Sequence, residues 1–166
     1  MTSSRMLQNI FTVLMISSLF IFSSATLADI AKSKLKLVET TKVAEGVYVF
    51  RWWVYRNLFV VTDEGVIATD PINPKASKML MQEIRKVTDK PIKYVVYSHQ
   101  HWDHISGGKV FKDAGAQFVS HEGCMKHFKR RPSPVVVLPD ITFSDKHTLT
   151  LGGKTLELEY FGKNHG

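Results

Sequence analysis

Four side chains of types that commonly bind metal ions lie within six residues of one another, directly after a short apolar segment. The apolar segment is 92–97, and the four side chains are His99, His101, Asp103 and His104. The β-branched and aromatic residues of segment 92–97 lack polar alternation, which predicts a strand buried on both faces. In a loop leaving that strand, His99 and His101 can converge on one ion while Asp103 and His104 turn toward a neighbouring point. The spacing therefore predicts a metal centre with room for two adjacent ions.

A histidine-rich surface loop without a metal ion is the alternative interpretation. Such a loop would need neither the apolar segment before it nor the glycine pair Gly107 and Gly108 after it. The chain has a single cysteine, Cys124, so neither an intrachain disulfide nor a four-cysteine zinc site can form. Any metal must therefore rely on His, Asp and Glu. Because no base is predicted beside Cys124, we expect its thiol to pack rather than to act as a nucleophile.

The remaining sequence predicts alternating strands and helices. A composition of 44% hydrophobic and 22% charged residues is typical of a folded globular protein. Aromatic and β-branched runs predict strands, and apolar residues at helical spacing predict helices. The predicted strands are 57–62, 66–69, 92–97, 117–120, 148–151 and 154–161, and the predicted helices are 74–87, 110–113 and 122–129. Strand, helix and strand in this order indicate an α/β layer architecture, because a buried parallel strand needs helices to cover it.

The first 28 residues have the composition of a secretory signal. They carry one charge, Arg5, followed by the apolar run 10–22 and then small residues up to Ala28. The apolar run is shorter than the roughly 20 residues that a membrane-spanning helix needs, although an uncleaved N-terminal anchor is the alternative. We expect cleavage after Ala28 or Ala25, and export of the rest to the periplasm or the medium without a stable membrane anchor.

A net charge of +7, from 22 basic and 15 acidic side chains, would by itself permit a nucleic acid as a partner. The densest basic run is 126–131, Lys-His-Phe-Lys-Arg-Arg. It spans only one or two helical turns and has no accompanying glycine-aromatic signature of RNA binding. We therefore predict a solvated helix face and no nucleic-acid partner.

The His-x-His-x-Asp-His motif after a buried strand resembles the hallmark of the metallo-β-lactamase superfamily. Residues 65–70 are similar to the family's preceding strand, which ends in an aspartate that braces the metal loop. For Asp70, a role as a turn or helix-start residue is the alternative. The resemblance covers residues 45–166 and implies an αβ/βα four-layer sandwich of which the first half to two-thirds is present. His121 is no ligand in the family pattern, so we expect it to start a helix or to lie on the surface.

The resemblance also implies a ligand set. In the family, a histidine in a loop after a later strand completes the first site, and His165 occupies that position here. A zinc ion would thus be held by His99, His101 and His165, and a second by Asp103 and His104, with Asp103 also serving as a catalytic residue. The complete protein would bind one or two Zn²⁺ ions.

The family pattern normally continues with a second strand and helix layer that bears two further ligands. Since the chain stops at Gly166, we expect a signal peptide over 1–28 and a C-terminally incomplete domain over 29–166. This would be a fragment of a longer protein or a prematurely ended reading frame. The sequence does not indicate an oligomeric state.

The activity that the resemblance implies is zinc-dependent hydrolysis. Water activated by the metal would attack an amide, lactam or ester type bond of a small molecule, as in a β-lactamase. Trp102 is similar to residues of thioester hydrolases of the glyoxalase II type and of exported sulfur-metabolism proteins, which remain alternatives. A different class of alternative is a truncated zinc-binding fragment without catalytic activity.

Overall fold

The computed structural model describes residues 37–163. The predicted signal peptide over 1–28 and the candidate ligand His165 lie outside these residues. Along the described part of the chain, no helix combines the length and the apolar character needed to cross a membrane.

A seven-stranded mixed sheet forms the centre of the described fold, and its strands pair in chain order. Its strands are β1 (Val38–Ala44), β2 (Val47–Trp52), β3 (Tyr55–Val61), β4 (Val66–Thr69), β5 (Ile92–Val96), β6 (Gln117–His121) and β7 (Ile141–Phe143). Strands β1 to β4 pair antiparallel, whereas β4 to β7 pair parallel. A two-stranded hairpin follows, with β8 (Lys146–Leu151) and β9 (Lys154–Glu159).

Helices connect the parallel strands. They are α1 (Pro74–Val87), α2 (Trp102–Ile105), α3 (Lys109–Asp113) and α4 (Glu122–Arg130). The longest, α1, starts where the sequence predicts, because the Asn73 side chain accepts hydrogen bonds from the first free N–H groups and Pro74 occupies the first turn. Of its apolar stripe, Ala76, Leu80 and Ile84 are fully buried, whereas Val87 at the end of the helix is exposed. The side of α1 that carries these buried residues therefore packs against the sheet.

The two faces of the sheet bury different partners. One face packs against the helices, in a cluster that includes Phe50, Val95 and Phe118. On the other face, Ile67 and Val96 pack with the β8–β9 hairpin. Neighbouring residues such as Val95 and Val96 enter opposite clusters because side chains alternate across a strand. The predicted α/β layering is confirmed, with helices on one face and a hairpin on the other.

Each predicted strand and helix corresponds to an observed one, with small shifts at the ends. The turn 63–65 joins β3 and β4, as its Asp-Glu-Gly sequence predicts, through a hydrogen bond from the Thr62 N–H to the Gly65 carbonyl. The sequence did not predict β1, β2, α2 or the short β7. Cys124 is buried in α4, which agrees with the predicted packing role of its thiol.

Candidate metal centre

The candidate site lies at the edge of the sheet where the parallel strands β4 and β5 end. Asp70 follows β4 and Ser98 follows β5, and the Asp70 N–H donates to the Val96 carbonyl at 3.0 Å. Since neighbouring parallel strands present their carboxyl ends at one edge, residues distant in sequence meet there. The loop that carries the four predicted ligands begins at this edge and continues into α2.

The Asp70 carboxylate braces the start of this loop. It is 7% exposed, and its two oxygens accept hydrogen bonds from the Ser98 N–H at 2.8 Å and from the Ser98 hydroxyl at 2.6 Å. Burial raises the pKa of the Asp70 carboxyl, against the opposing effect of these hydrogen bonds. Asn73, not Asp70, caps α1. The geometry therefore favours the brace over a helix-start role for Asp70.

The same hydroxyl fixes the orientation of His99. Ser98 Oγ lies 2.8 Å from His99 Nδ1, and its single proton is donated to Asp70. The second hydrogen bond therefore requires Nδ1 of His99 to be the donor. In a neutral imidazole this leaves the lone pair on Nε2, which is the form that binds a metal.

A second contact holds the far end of the loop. The Ile72 N–H donates to the His104 carbonyl at 2.6 Å, and the Ile72 carbonyl accepts from the Ser106 N–H at 3.1 Å. Ile72 has a φ of 62°, which is unfavourable for a β-branched residue. At Gly107, an added Cβ would lie 2.4 Å from the Pro71 carbonyl oxygen, so this close approach excludes any side chain.

These contacts bring three potential ligand side chains together. One ligand atom from each of Asp70, His99 and His104 lies within 4.8 Å of the other two. The His99 ring centroid is 4.4 Å from that of His104 and 4.8 Å from that of His101. Imidazole nitrogens and carboxylate oxygens form the donor set that zinc accepts in proteins, so the residues present fit such an ion.

Asp103 lies at the exposed side of this group. One of its carboxylate oxygens accepts a hydrogen bond from the Tyr55 hydroxyl at 3.2 Å and lies 3.7 Å from His104 Nε2. The Tyr55 ring also contacts His104 edge-on, with centroids 5.3 Å apart. Tyr55 was not among the predicted site residues, and no local pattern marks it, because it reaches the loop from β3. Of the predicted ligands, His165 lies beyond the described residues, whereas the other four share this loop.

His121 has a structural place of its own. Its Nδ1 accepts a hydrogen bond from the Gly123 N–H at 3.1 Å and thereby caps α4. Its ring stacks on Tyr160 with centroids 3.9 Å apart. The predicted helix-start role is confirmed.

The family follows from comparison with known sequences. The sequence model of the metallo-beta-lactamase superfamily matches residues 52–166, so the chain belongs to this superfamily. Its members are generally hydrolytic metalloenzymes that bind divalent metal ions and act on small molecules. The predicted family and fold class are thereby confirmed.

Solved structures share the fold over part of their length. A metallo-β-lactamase from Pontibacter korlensis is 25% identical, with a TM-score of 0.64 over 72% of this chain and 59% of that one. GOB-18 from Elizabethkingia meningoseptica is 21% identical, with a TM-score of 0.62 over 70% of this chain and 48% of that one. The subclass B3 enzyme BJP-1 of Bradyrhizobium japonicum is 23% identical, with a TM-score of 0.61 over 70% and 49%.

Two relatives with curated names match by sequence. The chain is 29% identical over 131 residues to the 2,4-dinitroanisole O-demethylase subunit alpha of Nocardioides sp., which covers 76% of this chain and 40% of that protein. A linear primary-alkylsulfatase of Pseudomonas sp. is 47% identical over 49 residues, 29% of this chain and 9% of that protein. The chain thus spans less than half the length of the curated relatives it matches.

Proposed function

We propose that this chain carries the metal-binding half of a zinc-dependent hydrolase that acts on a small molecule. The observation that supports this most is that ligand atoms of His99 and His104, one from each proposed ion site, lie within 4.8 Å of each other and of the Asp70 carboxylate at the end of two parallel strands. In this proposal a first ion is held by His99, His101 and His165, and a second by Asp103 and His104. The Asp70 carboxylate supports the loop by accepting two hydrogen bonds from Ser98.

A bound zinc ion supplies a Lewis acid and lowers the pKa of water toward about 7. Residues of this chain then orient the groups that transfer the proton. The exposed Asp103 carboxylate is placed to accept a proton, and the Tyr55 hydroxyl orients it. Burial, followed by the hydrogen bond to Asp103, raises the pKa of Tyr55 and keeps this hydroxyl protonated as a donor.

Comparison with relatives supports two classes of bond as the one that is cleaved. An amide, lactam or ester type bond is the first, and the shared β-lactamase fold supports it. The second is an ether or sulfate-ester linkage, which is supported by the names O-demethylase and alkylsulfatase of the two sequence relatives. Thioester hydrolysis of the glyoxalase II type and a role in sulfur metabolism remain further alternatives.

Export forms part of the proposal. The signal-like composition of residues 1–28 supports a periplasmic or secreted location. Expression of the full chain in a Gram-negative host, followed by N-terminal sequencing of the periplasmic protein, tests it. A mature terminus directly after Ala25 or Ala28 is the expected result, and an uncut cytoplasmic chain would contradict it.

Zinc binding is the direct test of the site. Titration of the full chain against a chromophoric chelator should show one or two zinc ions bound, and His101→Ala should weaken binding by at least tenfold. His147→Ala is the matched control, because His147 lies on β8 and stacks on Phe143. Equal zinc affinity in the two variants would contradict the ligand assignment.

A substrate panel then separates the activities. A chromogenic cephalosporin, a nitrophenyl ester, 2,4-dinitroanisole and an alkyl sulfate represent the two bond classes. Turnover that a chelator abolishes and added zinc restores supports the hydrolase. Zinc binding without turnover of any substrate favours the alternative of a non-catalytic zinc-binding fragment.

A further inference from the structure

A cavity of about 510 Å³ lies directly beside the candidate metal centre. Part of its lining is the loop segment 100–103, which carries two of the proposed ligands. The rest comes from α4 and the residue after it, and consists of His127, Phe128, Arg130 and Arg131. Four of the six residues of the basic run 126–131 therefore border the same space as the metal loop. Its volume falls within the range of about 300–1,000 Å³ typical of small-molecule sites.

The two arginines are available for a ligand. Both are exposed, and within residues 37–163 neither guanidinium group makes a hydrogen bond or an ion pair. Arg51, by contrast, is held by the Glu39 carboxylate at 2.6 Å. Among the described residues that line the cavity, Asp103 alone carries a carboxylate. The lining thus has an excess of positive charge.

The helix dipole alone does not explain this arrangement. Basic residues are favourable in the last turn of any helix, whichever side they occupy. Lys129 lies in the same part of α4 but borders a different cavity, together with Pro132 and Leu138, whereas Lys126 borders a neighbouring cavity beside Ser98 and His99. Arg130 and Arg131, which can each bind an oxyanion through two parallel N–H groups, both border the metal-loop cavity.

We propose that this cavity is an anion-recognition subsite, in which Arg130 and Arg131 bind the sulfate, phosphate or carboxylate group of the substrate. A group held there lies next to the loop that carries His101 and Asp103, so the adjacent bond of the same molecule faces the metal centre. That an anion binds here is inferred from the cavity and its arginines, whereas the role of this binding in hydrolysis rests on the proposed function. The basic run is then a specificity element and not a solvated helix face.

Nuclear magnetic resonance titration of the full, ¹⁵N-labelled chain tests the subsite. The chain is treated with a chelator, so that anions bound to a metal ion do not contribute, and is titrated with sodium sulfate, phosphate and acetate at constant ionic strength. Saturable shifts are expected at residues 100–103 and 127–131. The double variant Arg130→Gln/Arg131→Gln should raise the dissociation constant at least tenfold. The matched control Lys75→Gln/Lys78→Gln removes the same charge from α1, where both lysines border a separate cavity with Pro74, Met79 and Gln82, and it should stay within twofold of the wild type.

The outcomes separate the possibilities. Equal weakening in the two double variants, or shifts that spread over the surface without saturation, would overturn the subsite. Tighter binding of sulfate and phosphate than of acetate assigns a tetrahedral group, and the reverse order assigns a carboxylate. If circular dichroism shows that the arginine variant is unfolded, the shift map of the wild-type chain decides. A chain that binds anions at this cavity but no zinc refutes the proposed function alone, and a chain that binds zinc without these shifts refutes the subsite alone.

Discussion

Replacing Ser98 by alanine tests the hydrogen-bond chain that orients His99. The substitution removes the hydroxyl that donates to Asp70 at 2.6 Å and accepts from His99 Nδ1 at 2.8 Å. The Asp70 carboxylate keeps the bond from the backbone N–H of residue 98, but one of its buried oxygens loses its donor. Because the carboxylate stays in place, the change separates orientation of the ring from loss of the brace.

Two losses are expected from Ser98→Ala. The unfolding free energy should fall by about 1–3 kcal/mol, the usual effect of removing a buried hydrogen-bonding partner. The zinc dissociation constant should rise about 10–100-fold, equivalent to about 1.4–2.7 kcal/mol, because His99 can then rotate and populate both neutral tautomers. Urea unfolding measures the first quantity, and competition with a chromophoric chelator at pH 7 measures the second.

Two further variants test whether the loss of zinc affinity is specific to the Ser98 hydroxyl. Ser98→Thr retains a hydroxyl and should restore most of the zinc affinity. Ser106→Ala removes a hydroxyl of the same loop that donates to the Ile72 carbonyl at 3.2 Å, so it should lower stability but leave zinc affinity within about twofold. Unchanged zinc affinity in Ser98→Ala, or an equal loss in Ser106→Ala, would refute the reasoning.

Three other substitutions have defined outcomes. His121→Ala removes the side-chain cap of α4 and should lower the unfolding free energy by about 0.5–2 kcal/mol, whereas His121→Asn should keep most of it; equal denaturation midpoints would contradict the cap. Burial acts to raise the pKa of Asp140, but the hydrogen bonds from Lys112 and from the Phe118 N–H, together with the charge of Lys112, outweigh it and hold the pKa below its ordinary value. Wild type should therefore be more stable than Asp140→Asn at pH 7, by less than about 1 kcal/mol. This advantage should be lost as the pH falls below about 4, and urea unfolding across this range would detect the loss. Gly107→Ala places a Cβ 2.4 Å from the Pro71 carbonyl oxygen and should lower the melting temperature by at least about 10 °C, and a normal melting curve would show that the loop adapts.

Local patterns predicted the parts of the fold that local interactions determine. Helix α1 was predictable because its cap at Asn73 and its apolar stripe lie in one continuous segment. Strand β7 has three residues and exists through its parallel pairing with β6, so no pattern of its own marks it. Strand β1 is an edge strand with mostly exposed or half-buried residues, and it lacks the alternation that would identify it.

The same distinction holds at the candidate site. His99, His101 and His104 were predictable as a group because one loop carries them. The bond between Asp70 and Ser98 joins residues 28 positions apart, so the sequence left the role of Asp70 open. The contact of Tyr55 with the loop spans 48 positions and depends on the sheet that brings β3 beside the metal edge.

The strand order of the sheet has a consequence for how the site is assembled. Since the seven strands pair in chain order, each strand can join the free edge of those that precede it, and none must insert between two strands already paired. The carboxylate after β4 can therefore be in position before β5 docks and brings Ser98 to it. Such a route by successive addition avoids rearrangement of a finished sheet, and in it the histidine loop forms after β5 and before β6, on strands that are already paired.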